Sequence, residues 1–113
     1  MKVYISGKIT GDINYKLKFG MVAAAVHDAG HTLLNPADLP EGMSPADYMR
    51  INFAQMDSAD AIIFIADWKD SKGAQLEHLW AEYVGKPRYY IADGVDFLGD
   101  CPKLSRAMRE KLK

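Results

Sequence analysis

The chain has only one cysteine, Cys101, in 113 residues. One thiol closes no internal disulfide and makes no cysteine-based zinc site by itself. No apolar run approaches the ~20 residues of a membrane-spanning helix, and no signal-peptide core precedes the first strand-like pattern. An excess of one charge is missing too, since the formal net charge is -1. That removes any broad electrostatic pull toward nucleic acid or an anionic membrane surface. Internal repeats, low-complexity tracts, linkers and a GxxxxGK[ST] phosphate loop are all absent. These absences lead to the expectation of a cytoplasmic protein with neither nucleic acid nor membrane as partner.

What is present suits one globular domain over residues 1–113, with 49% hydrophobic and 26% charged residues. A chain of this size buries a modest core, so association as a homo-oligomer, dimer or higher, would help it. Lys2 to Ser6 is β-branched and aromatic, stops at Gly7, and reads as a strand. Tyr15 to Ala29 carries apolar residues at helical spacing before Gly30. Thr32 to Asn35 reads as a second strand ended by Pro36, and residues 36 to 44 as loop. Pro45 can open a helix reaching Ser58. Ala61 to Ala66 is a continuous apolar run, as in a strand buried on both faces. Gly73 to Val84 reads as a helix closed by Gly85 and Pro87, and Arg88 to Ala92 as a fourth strand. An Asp/Gly-rich loop over 93–100 and a basic helix over Pro102 to Leu112 complete the chain.

Strands alternating with helices imply an α/β fold. The expected form is a compact three-layer domain with a parallel sheet of four to five strands, flavodoxin-like in outline. Ligands of such sheets bind outside the carboxyl ends of the strands. Candidate binding segments are therefore Gly7 to Asn14, Asn35 to Ser44, Asp67 to Gly73 and Asp93 to Asp100. Within or beside them lie Ser6, Gly7, Lys8, Asn35, Trp68, Ser71 and Gly73.

Glu77 is the residue that most needs explaining. On the helix wheel Gln75, His78 and Glu82 form the solvent face, and Leu76, Trp80 and Tyr83 an apolar stripe. Glu77 falls on a third stripe with Ala74, Ala81 and Val84. Its carboxylate leaves from small apolar neighbours, which fits a boundary glutamate or the working group of a site. Ser71 can cap the same helix, and Gly73 leaves the backbone approachable at a helix start suited to an anion. Trp68, just past the third strand, can stack on a base or pack beneath its loop.

The segments VYISGKITG, GHTLLNPADL, YMRINFAQMDSADAIIF and WKDSKGAQLE resemble a small bacterial and phage family of uncharacterised domains (DUF4406-like). That family is similar to the nucleoside 2-deoxyribosyltransferase superfamily, which includes the 2'-deoxynucleoside 5'-phosphate N-hydrolases. The resemblance spans roughly residues 1 to 91, and S-x-G-x-x-x-E is its most specific element. It implies Glu77 as nucleophile, Ser71 as a phosphate contact, Tyr4 beside the reacting sugar, and Gly7 in the sugar- and base-binding loop. It also implies a nucleoside or nucleotide as small-molecule partner, oligomers that share residues between sites, and a bacterial cytoplasm, or a host cytoplasm for a phage protein. A catalytic aspartate expected eight residues before Asp60 is Asn52 here. An amide neither gives nor takes a proton as an acid does, and Asp67 is the substitute within reach of the third strand. The implied reaction is N-glycosidic cleavage or deoxyribosyl transfer. The alternatives are a non-catalytic module that binds or sequesters a nucleotide-like ligand, and a subunit that keeps only the fold.

No metal or cofactor is expected. Gly30 separates His27 from His31, and Asp93, Asp96 and Asp100 lack calcium-loop spacing. Lys103, Arg106, Arg109, Lys111 and Lys113 read as a solvated basic face.

Overall fold

In the computed structural model, residues 1–91 are described. The 93–100 loop, Cys101 and the basic helix expected over Pro102 to Leu112 lie outside them. The elements are β1 (Lys2–Ser6), α1 (Tyr15–Asp28), β2 (Thr32–Leu34), α2 (Pro45–Ser58), β3 (Ala61–Phe64), α3 (Lys72–Val84) and β4 (Arg88–Tyr90). Short 3-10 turns at Pro36–Asp38 and Ala66–Asp70 follow β2 and β3. The four strands form one parallel sheet in the order β2-β1-β3-β4. That is the doubly wound arrangement, with its switch point between β1 and β3.

Strand alternation sorts the core into two layers. Val3 and Ile5 of β1, with Ala61 and Ile63 of β3, meet Phe19, Val22 and Val26 of α1. Tyr4, Ile62 and Phe64 face the other way, toward Met56 of α2 and Ala81 of α3. All four residues of β3 are buried, as its unbroken apolar run predicts. The run stops being strand at Phe64, because Ile65 is the N-cap of a 3-10 turn that begins at Ala66.

The helix ends follow their local chemistry. Ser44 and Asp47 form a reciprocal capping box around Pro45. Ser71 caps α3 by accepting the Ala74 N–H at 3.2 Å. Gly85 ends α3 with φ +76°, where a Cβ would be strained.

The apolar stripe expected at Leu76, Trp80 and Tyr83 is corrected by the fold. Leu76 and Tyr83 are exposed, as are Leu79 and Val84. The buried line of α3 is instead Ala74, Glu77 and Ala81. Small residues allow α3 to approach the sheet closely. Of the larger apolar side chains, Trp80 is partly buried against Phe53 at the core margin, whereas Leu76, Leu79, Tyr83 and Val84 are left outside.

Candidate functional site

Glu77 is the charged residue of that buried line, with 4% of its surface exposed. Its partners come from two elements. Tyr4 and Ser6 are two apart on β1, so both project toward α3. The Ser6 hydroxyl donates to Glu77 Oε1 at 2.7 Å. The Tyr4 phenol lies 3.2 Å from Oε1 and 3.1 Å from Oε2. From α2, Asn52 Nδ2 donates to Oε2 at 3.4 Å. Three neutral donors thus converge on one carboxylate at the carboxyl end of β1, beside the switch point.

Burial pushes the Glu77 carboxyl up to about 7, against the opposing hydrogen bonds from Ser6, Tyr4 and Asn52. At neutral pH it is therefore divided between acid and carboxylate. Burial, and then the Glu77 charge, raise the Tyr4 phenol well above its ordinary value. Tyr4 stays protonated and acts as a donor. Asn52 Oδ1 is buried without a hydrogen-bond partner.

Other residues singled out in the sequence lie around this centre in varying roles. Asp67 does not touch Glu77 through a hydrogen bond. Its Oδ1 accepts the Lys8 backbone N–H at 3.0 Å, and its Oδ2 pairs with the Lys18 ammonium. Gly7 lies close against this region, since a Cβ there would meet Ile65 Cβ at 3.1 Å and Asp67 Oδ1 at 3.3 Å. Ser71 spends its hydroxyl oxygen on the cap of α3. Gly73 has only Met49 Cε, at 3.8 Å, and Ser71 Oγ, at 3.9 Å, near its missing Cβ.

Trp68 has one face taken. His78 stacks on it with ring centroids 4.0 Å apart and planes 17° apart. This corrects the placing of His78 on the solvent face. Its ring also meets Phe64 edge-on and contacts the Tyr90 hydroxyl through Nε2 at 2.7 Å. Helical spacing put His78 outside, but the 3-10 turn after β3 brings Trp68 over it. Asn35 is not among the hydrogen-bond partners of Glu77. Its side chain accepts the Ala37 N–H at 3.0 Å, at the edge of a hollow of about 450 Å³ beside α1. A second hollow of about 420 Å³ lies at the opposite end of the sheet, around Asp60, Trp80 and Pro87. Neither hollow is lined by Glu77.

Lys18 and His78 are the residues that reading the sequence missed. Lys18 looks like an ordinary surface lysine, and only the strand order brings Asp67 to it. Among the described residues, no group of three or more His, Cys, Asp or Glu is placed to hold a metal ion. No described helix is long and apolar enough to cross a membrane.

Comparison with known proteins agrees with this architecture. A solved structure of a 2-deoxyribosyltransferase from the psychrotolerant bacterium Bacillus psychrosaccharolyticus superposes with a TM-score of 0.65. The two are 19% identical, and the match covers 85% of this chain and 89% of that one. At that identity the likeness establishes a shared fold, the nucleoside deoxyribosyltransferase-like α/β fold. No curated protein matches the chain. The family model described as "Domain of unknown function (DUF4406)" matches residues 1–90, so the chain belongs to the DUF4406 family.

Proposed function

We propose that this protein cleaves or transfers the N-glycosidic bond of a nucleoside or nucleoside 5'-monophosphate, with Glu77 as the nucleophile. The observation that carries the reading is a buried glutamate held by Tyr4, Ser6 and Asn52 at the sheet's switch point. A carboxylate used only for surface solubility needs no such setting. Burial there is costly unless the group is hydrogen-bonded or neutral.

In the reaction, a Glu77 oxygen bonds to the anomeric carbon as the bond from that carbon to the base nitrogen breaks. The electron pair leaves with the base, which takes up a proton. Water then attacks the glycosyl ester, gives one proton to solvent and releases the sugar with Glu77 restored. A second base in place of water gives transfer. Low water access around Glu77 strengthens its attraction to the developing positive charge. Tyr4 and Ser6 orient the carboxylate, and Asn52 meets the leaving group as a hydrogen-bonding amide. The loop of Gly7 and Lys8 borders the sugar and base, Trp68 flanks them, and the α3 start at Ser71 and Gly73 takes a 5'-phosphate. The protein acts as a homo-oligomer.

A second reading is a module that binds a nucleotide-like ligand without turnover. Asn52 favours it, because an amide supplies no proton to a departing base. Incubation with a panel of nucleosides and 5'-monophosphates, followed for free base, separates the two. Base released by the natural protein and abolished by Glu77→Ala supports the enzyme. Binding without release supports the module.

A further inference from the structure

The loop between β1 and α1 is tied down by a lysine that the proposed chemistry does not use. Lys18 stands in the first turns of α1. Its ammonium donates to the Lys8 carbonyl at 3.1 Å and pairs with the carboxylates of Asp12 and Asp67. Asp67 in turn accepts the Lys8 N–H at 3.0 Å. Both backbone polar groups of Lys8 are therefore held by one ion pair. Asp12 Oδ1 also accepts the Asn14 N–H at 2.8 Å, which fixes the entry to α1.

The cluster is partly shielded from solvent. The Lys18 side chain is 19% exposed, and those of Asp12 and Asp67 are 22% and 26% exposed. Ion pairs at such depth are screened less by salt than surface pairs. Burial works against the Lys18 charge, but its bonds to Asp12 and Asp67 outweigh that and raise its pKa.

The location gives the cluster its meaning. Lys8 is two residues beyond Ser6, which holds Glu77 at 2.7 Å. Ser6 is paired in register with Phe64, and Asp67 follows three residues later. The ion pair thus joins the ends of the two central strands at the switch point. Gly7 is the independent sign that the two loops must stay close, because a Cβ there would press on Ile65 and Asp67.

We infer that Lys18 is a positioning residue that fixes the Gly7–Asp12 loop against Asp67 and so shapes the mouth of the Glu77 site for its ligand. The ligand half of this inference rests on the function proposed above, whereas the tether itself does not.

Amide hydrogen exchange on the free protein tests the tether. Lys18→Met should speed exchange at the Lys8 amide about tenfold or more, with the β3 amides little changed. Lys18→Arg should restore most of the protection. If Lys18→Met does not fold, Asp12→Asn removes one arm and should give a smaller acceleration at the same amide. Unchanged Lys8 exchange, or an equal acceleration throughout the sheet, overturns the tether. The ligand half is read with the four common 2'-deoxynucleoside 5'-monophosphates. Lys18→Met should raise KM about tenfold with kcat and its pH profile little altered; without turnover, Kd should rise by the same factor. A loosened loop with unchanged nucleotide affinity overturns the positioning role. A natural protein that binds none of the four defeats the ligand half together with the monophosphate form of the functional reading, and Lys8 exchange then decides the tether alone.

Discussion

Glu77 combines a charge with deep burial, so its titration should be visible in both activity and stability. Its carboxyl is raised to about 7 by burial. In the proposed reaction the ionised form is the nucleophile, so base release should climb with pH below 7 and level off above it. Stability runs the other way. The folded state binds the Glu77 proton more tightly than the unfolded chain, so the stability contributed by this group is fully present below about pH 4.5 and is lost as pH rises to about 7. The difference amounts to roughly 3 kcal/mol. Glu77→Gln should therefore abolish base release yet unfold at higher urea than the natural protein at pH 8, with the gap closing toward pH 4.5. A gap that does not change with pH would contradict the assigned titration. In that variant the Asn52 amide can also turn its unpartnered oxygen toward the amide introduced on α3. Asn52→Asp tests the proton supply. It places a second carboxyl beside Glu77 Oε2, now 3.4 Å from the Asn52 nitrogen. Like charges at that range cannot both ionise easily, so the pH limb should move above 7. If the missing acid limits the natural protein, base release should rise by ~10²–10⁴-fold. An unchanged rate would mean that the proton comes from elsewhere. Asp67 is poorly placed for that role, because both of its oxygens serve the Lys8–Lys18 tether.

At the scale of elements, α3 serves the fold and the site through one face. Ala74 and Ala81 let it approach the sheet, which carries Glu77 to the β1 hydroxyls. Its start depends on Ser71, whose oxygen takes the Ala74 N–H. Ser71→Ala should cost about 1 kcal/mol in chemical unfolding. If the α3 start also receives a 5'-phosphate, the variant should lose affinity for a nucleoside monophosphate more than for the nucleoside, by calorimetry. Equal losses would leave Ser71 as a cap alone. The element boundaries were largely legible, because caps, prolines and glycines act within a few residues of themselves. Ser44, Pro45, Gly30 and Gly85 all stand where their chemistry requires. The end of β3 was not legible, because Ile65 and Ala66 continue its apolar run while the backbone has already turned.

For the whole molecule, the outer face of α3 is unusually apolar. Leu79 is 63% and Tyr83 90% exposed, with Leu76 and Val84 beside them. Light scattering at micromolar concentration should show a dimer or larger particle, and Leu79→Lys with Tyr83→Lys should shift it toward monomer. A natural protein that is already a monomer would remove the proposed assembly. The sequence alone determined the alternation of strands and helices, the parallel α/β class, and the turning of Glu77 off the solvent face. Each of these follows from short-range periodicity, 2 residues in a strand and 3.6 in a helix. The pairing of Glu77 with Asn52, the capture of Asp67 by Lys18 and the stacking of His78 on Trp68 were decided by tertiary structure. They depend on the order β2-β1-β3-β4 and on how each helix settles on its sheet face. No local pattern encodes those distances, because strand order is chosen by the summed burial of both sheet faces rather than by any one segment.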